Sequence, residues 1–243
     1  MSGTLLPNIS YGISNDAWSN VESYIEELIK KTNAHRILEV GAGANPSFSI
    51  DFVKKNNLNY SLLDISEDEL RKAPDGYSII VADIASQDLK LNAEYDLIFS
   101  RMLAEHIKDG EMFHKNILRL LKTEGIAFHF FPTLYAPPFI INRLLPEKYA
   151  EWLLNLLQPG RERSGTHAKF PAYYQWCRGP MESQIKRFEG LGYSVENYIG
   201  FFGHSSYYQK LKPLFVIHEY IANWLVKHPK AWITSFAYII LKK

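Results

Sequence analysis

The sequence predicts a doubly wound α/β domain with a mostly parallel seven-stranded sheet. Short apolar runs suited to buried strands alternate with amphipathic helical segments. The run at residues 36–40 ends in Gly41-Ala42-Gly43-Ala44-Asn45-Pro46, where glycines let backbone turn tightly and crowd a ligand. Two later runs end in aspartate, Asp64 and Asp83, at the strand ends where open α/β sheets bind ligands.

Residues 16–31 form the first expected helix, with Trp18, Val21, Tyr24, Ile25, Leu28 and Ile29 at helical spacing for a core-facing stripe. The strand at 36–40 follows, and Asn45 and Pro46 are expected to cap and open the next helix, whose free amides favour an anionic group. Residues 60–65 read as the second strand, and Ser66 with Glu67-Asp68-Glu69 as a helix start. Residues 78–84 give the third strand and 95–100 the fourth. A helix over 109–122 carries Met112, Phe113, Ile117, Leu118, Leu120 and Leu121. Gly125 breaks it before a fifth strand at 125–131. A helix at 181–191, a sixth strand at 193–199 and a seventh at 232–241 complete the domain. Two insertions, 132–179 and 202–230, start near strand carboxyl ends and are expected to form helical caps over a ligand site. They hold Tyr135, Phe139, Trp152, Phe170, Tyr173, Tyr174, Trp176, Tyr207, Tyr208 and Phe215, which suit cation or ring contacts but also a cap's own core.

At 243 residues the chain fits one domain spanning 1–243. A formal charge of +1 excludes a general nucleic-acid footprint. Cys177 is the only cysteine, which excludes an intrachain disulfide or a cysteine metal cluster and suits a reducing compartment. Residues 1–8 lack a basic start and apolar stretch, and no apolar run reaches membrane-span length, so a cytoplasmic location is expected.

The glycine turn narrows the cofactor. Gly41 and Gly43 are followed by Pro46, where a dinucleotide fold wants a third small residue for helix packing. Glu39, inside the strand, would repel a pyrophosphate but suits an ammonium group or its water. A cofactor with a zwitterionic amino-acid end fits better. From residue 34 to 131 the chain resembles the class I S-adenosylmethionine methyltransferases, with residues 39–46 in place of their first motif. The resemblance implies a Rossmann-like sheet whose last strand runs antiparallel between the fifth and sixth, and S-adenosyl-L-methionine as cofactor. It places Asp64 on the ribose hydroxyls, about 20 residues after the glycines. It also places Asp83 on the adenine amino group and Ile84 against the ring. Glu39, Gly41, Ala42, Gly43, Ile65, Arg101 and Met102 complete the expected cofactor set.

Sulfonium chemistry needs alignment above all, and a hydroxyl acceptor also benefits from a base. His106 is the candidate, since relatives place a histidine there beside the acceptor, with Glu105 and His129 as companions; His167 and His204 are weaker alternatives. Glu105 and His106 equally suit a structural helix start. Tyr11 is in position to close over the cofactor as N-terminal tyrosines do in relatives. No metal is expected: ubiquinone-type O-methyltransferases carry a glutamate three residues before the Glu-His pair, and here Met102 stands in that place, a poor ligand for a hard cation. Residues 144–146, 170–174 and 176–179 resemble a bacterial subgroup associated with glycan assembly. The resulting expectation is methyl transfer to a hydroxyl of a small-molecule, sugar or lipid-linked glycan acceptor, without nucleic acid, and with residues 137–146 as a candidate peripheral membrane contact. The alternatives are N-methylation of a small amine, or a non-catalytic cofactor-binding partner of another enzyme.

Overall fold

The computed structural model describes residues 7–92, 94–134, 171–204 and 212–243. In chain order the elements are β1 (Asn8–Ile13), α1 (Ser14–Thr32), β2 (Arg36–Val40), α2 (Ile50–Lys55), β3 (Asn59–Asp64), α3 (Glu67–Leu70), β4 (Ser78–Val81), β5 (Tyr95–Arg101), α4 (Gly110–Leu120), β6 (Leu121–Pro132), α5 (Glu182–Glu189), β7 (Ser194–Phe202), α6 (Lys212–Lys227) and β8 (Phe236–Lys242), with 3-10 turns at Ala104–His106 and Ala231–Ile233.

The strands form one sheet in the order β1-β7-β8-β6-β5-β2-β3-β4. Every pairing is parallel except those of β8, which runs antiparallel to β6 and β7 as the resemblance implied. The sheet has eight strands rather than seven. The addition is β1, a six-residue edge strand beside β7 whose first three residues are exposed. A half-exposed edge needs no apolar run, so period alone did not reveal it.

Period two along the central strands divides their side chains between two helical layers. Ile37, Leu97, Phe99, Phe128, Phe130, Tyr238 and Ile240 pack with Ala17, Val21, Ile25, Leu28 and Ile29 of α1 and Val53 of α2. Leu38, Val40, Ile98, Ala127, Ile239 and Leu241 pack with Phe113, Ile117 and Leu120 of α4 and Phe188 of α5. Covered on both sides, β6 and β8 read as nearly continuous apolar runs. Helix α1 stops where Asn33 turns left-handed (φ 51°) and its amide returns to Lys30.

The chain builds β2, β3 and β4 outward in one direction, then returns to place β5 on the other side of β2. The strand order therefore reverses between β2 and β5, which opens a crevice at their carboxyl ends.

The segment after the glycines corrects one expectation. Asn45 and Pro46 do not open a helix; α2 begins at Ile50, and its N-cap is Ser49, whose hydroxyl accepts from the Phe52 amide. Residues 42–45 instead form a turn closed by the Asn45 amide on the Ala42 carbonyl, and the irregular stretch after it is held by Ser47 and by Phe48, which is 6% exposed and stacks on Phe52. The cap expected at 132–179 falls largely on residues 135–170, outside the described residues, as do Tyr135, Phe139, Trp152, Phe170, His167 and the 137–146 segment; of the cap expected at 202–230 only residues 205–211, with Tyr207 and Tyr208, lie outside them, and α6 makes up most of the rest. Of the cap residues described, Trp176 belongs to the core: it is 4% exposed, and the Arg187 guanidinium lies 3.9 Å over its ring.

Gly179 closes the approach to β8. A Cβ there would stand 1.8 Å from the Ala231 carbonyl oxygen and 2.4 Å from Thr234 Oγ1. Because the first obstacle is backbone, Gly179→Ala is expected to lower stability by about 1–3 kcal/mol or more. Gly190→Ala, at an αR position ending α5, should leave it within about 1 kcal/mol. Urea unfolding of both variants checks the contrast, and equal midpoints would refute it.

Candidate active site

The crevice is built from the carboxyl ends of β2, β3 and β5. Gly41 (φ 76°) extends the β2 ladder by one bond, its amide donating to the Leu63 carbonyl at 2.7 Å. A Cβ on Gly41 would meet both Leu103 methyls at 2.8 Å, so the missing side chain lets the β5 loop close down on the turn. Gly43 (φ 50°) is different: nothing lies within 3.7 Å of its ideal Cβ, and its need is conformational. Ala42 between them is 8% exposed and packs in the α1–α2 layer.

Glu39 lies inside β2 and is 2% exposed. Its carboxylate accepts from the Ser47 amide at 3.0 Å, from the Ser47 hydroxyl, and from the Tyr60 hydroxyl at 2.6 Å. Arg101 Nε stands 3.9 Å away. Burial raises its pKa above the ordinary carboxylate range, while the bonds from Ser47 and Tyr60 pull it back. Its contacts within the protein make it the fastener of the glycine turn, tying residue 47 to the floor of the crevice.

Asp64 ends β3 beside that turn. One carboxylate oxygen accepts from the Gly43 amide at 3.1 Å and the other from the Ser66 amide at 2.9 Å. Ser66 in turn caps α3. Beside Asp64, Ile65 is 66% exposed, an apolar side chain open at a polar rim. Asp83 is exposed and its carboxylate accepts from the Ala85 amide at 2.8 Å. Ile84 is 3% exposed and packs in the core beneath α4. Burial leaves little of Ile84 at the surface of the crevice, while the Ile65 side chain is open to it.

The β5 end supplies the opposite wall. Arg101 Nη1 bonds Glu22 of α1 at 3.1 Å. Met102 is left-handed (φ 51°), and its amide donates to the Phe130 carbonyl at 2.7 Å. Such a conformation costs a non-glycine residue about 1–3 kcal/mol and collects at ligand sites. His106 exposes 35% of its side chain. Its Nδ1 lies 3.1 Å from the Pro171 carbonyl, which can only accept. In the neutral ring the proton therefore sits on Nδ1, and Nε2 carries the lone pair.

Glu105 is 3% exposed, and burial pushes its carboxyl up to about 8. Its Oε2 is buried without a hydrogen-bond partner, and Oε1 stands 3.7 Å from His106 Nε2. Its backbone carbonyl accepts from the Tyr173 and Tyr174 amides, which holds residues 171–174 against His106.

The structure separates His129 from this wall. It is 0% exposed, with Nδ1 2.8 Å from Ser100 Oγ and its ring against Phe113 and His114, and burial pushes it down to about 3. Covered on both faces of β6, a neutral ring there has no access to an acceptor in the crevice. His204 is likewise buried and pushed down to about 3. Tyr11 lies in β1 and stacks on Phe202 at 5.6 Å. Among the described residues no group of three or more His, Cys, Asp or Glu side chains could hold a metal ion.

Ser47, Tyr60 and the Arg101–Glu22 pair were not singled out from the sequence. Tyr60 was within reach: Ile37 registers with Tyr60 and Glu39 with Leu62, which puts Glu39 and Tyr60 on one face. A glutamate on a buried strand face requires a donor nearby.

A family model described as "Methyltransferase domain" matches residues 17–209. No protein of curated function matches the chain. Among solved structures, an S-adenosylmethionine-dependent methyltransferase from Archaeoglobus fulgidus is similar at 17% identity, covering 93% of this chain and 94% of its own, with a TM-score of 0.54. A putative sarcosine dimethylglycine methyltransferase from Galdieria sulphuraria is similar at 13% identity, 94% and 87% coverage and a TM-score of 0.52. Phosphoethanolamine N-methyltransferase 2 of Haemonchus contortus, in complex with S-adenosyl-L-methionine, matches at 14% identity over 91% of this chain and 52% of its own, with a TM-score of 0.53. At these identities the likeness is one of fold.

Glu105 gives the site a pH signature. Its folded pKa of about 8 lies above the ordinary value of 4.5. Between the two, the native carboxyl keeps a proton that the unfolded chain releases, so its contribution is present below 4.5 and lost as pH rises through about 8. Glu105→Gln should therefore gain stability relative to wild type across that window, by up to a few kcal/mol. Urea unfolding at several pH values measures the difference, and parallel profiles would place Glu105 ionised at neutral pH.

Proposed function

The chain belongs to the methyltransferase-domain family, and we propose that it transfers a methyl group from S-adenosylmethionine to a hydroxyl of a small-molecule, sugar or lipid-linked glycan acceptor. The observation that carries the reading is the crevice itself: two left-handed glycines, an aspartate at the adjacent strand end and an imidazole on the opposite wall. Gly41, Ala42 and Gly43 offer backbone without bulk, and the Asp64 carboxylate, already engaged with the Gly43 amide, suits a pair of ribose hydroxyls. Exposed Ile65 and Asp83 give an apolar face and an acceptor for adenine. Glu39 supports this group through the turn, and Arg101 and Met102 through the opposite wall. The bound cofactor supplies a methyl carbon already activated by its sulfonium.

The protein's part is then to align a nucleophile and remove its proton. His106 Nε2 carries the lone pair for that proton, because the Pro171 carbonyl holds the other nitrogen in its protonated form. Glu105, kept neutral by burial, adds no charge beside the imidazole and fixes residues 171–174 through its carbonyl. The likeness to the structure named phosphoethanolamine N-methyltransferase 2 supports a second reading, transfer to a small amine, whose neutral form needs no base.

Calorimetry is expected to show saturable binding of S-adenosylmethionine and its demethylated product. Asp64→Ala should weaken both by about tenfold or more in a protein that still folds, with a melting temperature lowered by the lost Gly43 and Ser66 amide bonds. Unaltered affinity would remove Asp64 from the site, and binding of NADH alone would overturn the cofactor.

With an acceptor in hand, His106→Ala should lower kcat by about 10²–10⁴-fold while cofactor affinity stays within about twofold. Unchanged turnover would remove His106 as base. A rate that follows the acceptor's own ionisation in both proteins would favour the amine reading.

A further inference from the structure

Helix α6 presents apolar side chains outward. Leu214, Val216, Ile217, Tyr220, Ile221 and Trp224 are 47–74% exposed, and Trp232 just beyond is 56% exposed. More than half of the large hydrophobic residues exposed in the described chain fall on this one stretch, so the patch is local rather than ordinary surface scatter. Leu214, Ile217, Ile221 and Trp224 recur at helical spacing along one face, with Tyr220 beside them.

The opposite face already has its partners. Ala222 is 3% exposed, and both it and His218 lie against Gly203 at the end of β7, while His218 Nε2 accepts from the His204 amide. Helix α6 therefore packs on β1 and β7 through one face and leaves the other bare.

Charge selects what covers that bare face. Lys212 and Lys227 stand exposed at the two ends of α6, with Lys230 exposed just beyond. The only carboxylate between residues 212 and 233 is Glu219, which keeps 27% of its side chain exposed and stands 3.6 Å from His218 on the packed side. An apolar stripe with tryptophan and tyrosine, rimmed by lysines and with its one carboxylate partly buried beside His218, matches a lipid surface with anionic headgroups. Exposed lysines at the rim of a patch are a poorer fit to a protein interface, where lysine is depleted, and a two-fold contact between copies would bring like charges together. No described helix is long and apolar enough to cross a membrane, so contact would be in the plane of the surface.

We propose that α6, with Trp232 and Lys230, is a docking surface for an anionic lipid bilayer. It is a surface of the β7–β8 connection, distinct from the 137–146 segment, and it does not depend on which acceptor is methylated. It lies at the carboxyl end of β7, on the same rim of the sheet as the glycine turn, so docking would bring that rim toward the lipid.

The test is flotation of the full chain with vesicles of phosphatidylcholine alone or with a minority of phosphatidylglycerol. Binding is expected to the anionic vesicles, weakened by salt. It should fall about tenfold or more in Ile217→Glu/Trp224→Glu and in Lys227→Glu/Lys230→Glu. All four substituted positions are exposed, and far-ultraviolet circular dichroism with a parallel S-adenosylmethionine titration checks that the variants remain folded. No vesicle binding, or binding unaltered in both variants, would overturn the proposal. So would a concentration-dependent dimer in sedimentation that Ile217→Glu abolishes, since the occupant would then be a second copy. The cofactor titration is read separately, so failure of docking and failure of the methyl-transfer reading remain distinct.

Discussion

The crevice depends on one buried carboxylate. Glu39 sits on an interior strand face where an uncompensated charge would cost several kcal/mol, and the protein compensates it with the Ser47 amide, the Ser47 hydroxyl and the Tyr60 hydroxyl. Those bonds fix residue 47 eight positions downstream, so the glycine turn is clamped at both ends: by the β2 ladder through Gly41 and by Glu39 through Ser47. Asp64 adds a third tie through the Gly43 amide. A loop held this way needs no helix immediately after the glycines to give it shape.

Left-handed backbone lines the opening of the sheet. Gly41, Gly43 and Met102 all have positive φ, and all lie at carboxyl ends of β2 or β5. Each is over-determined by a packed neighbour or a backbone bond: Leu103 against Gly41, Asp64 against Gly43, and the Phe130 carbonyl under Met102. Rigidity of this kind suits a reaction in which alignment supplies most of the acceleration. The titratable groups divide accordingly. His129, His114 and His204 are neutralised by burial and serve the core, whereas His106 keeps contact with solvent at the rim.

Much of this was legible in the chain. Strand runs, the amphipathic stripes of α1 and α4, the glycine turn and the aspartate at the end of β3 all follow from local period and local chemistry, because a side chain's direction on a strand or helix is fixed by its position. His129 was not legible in the same way. It follows Gly125 in an apolar run, and only the helices packed on β6 decide that its ring meets Phe113 and His114 rather than open space. Ile65 is exposed and Ile84 buried for the same reason: exposure is set by what packs above a residue, not by its place after an aspartate.

By itself the sequence determined the doubly wound class, the crevice at the end of the first central strand and the succession of strands along the chain from β2 onward. It could do so because each rests on interactions within about one turn or one strand. Tertiary structure alone decided the eighth strand, the tautomer of His106 through Pro171, and the protonation of Glu105. The eighth strand depends on pairings 189 positions apart, the tautomer on one 65 positions apart, and the Glu105 proton on exclusion of water. None of these is encoded in any single stretch of the chain.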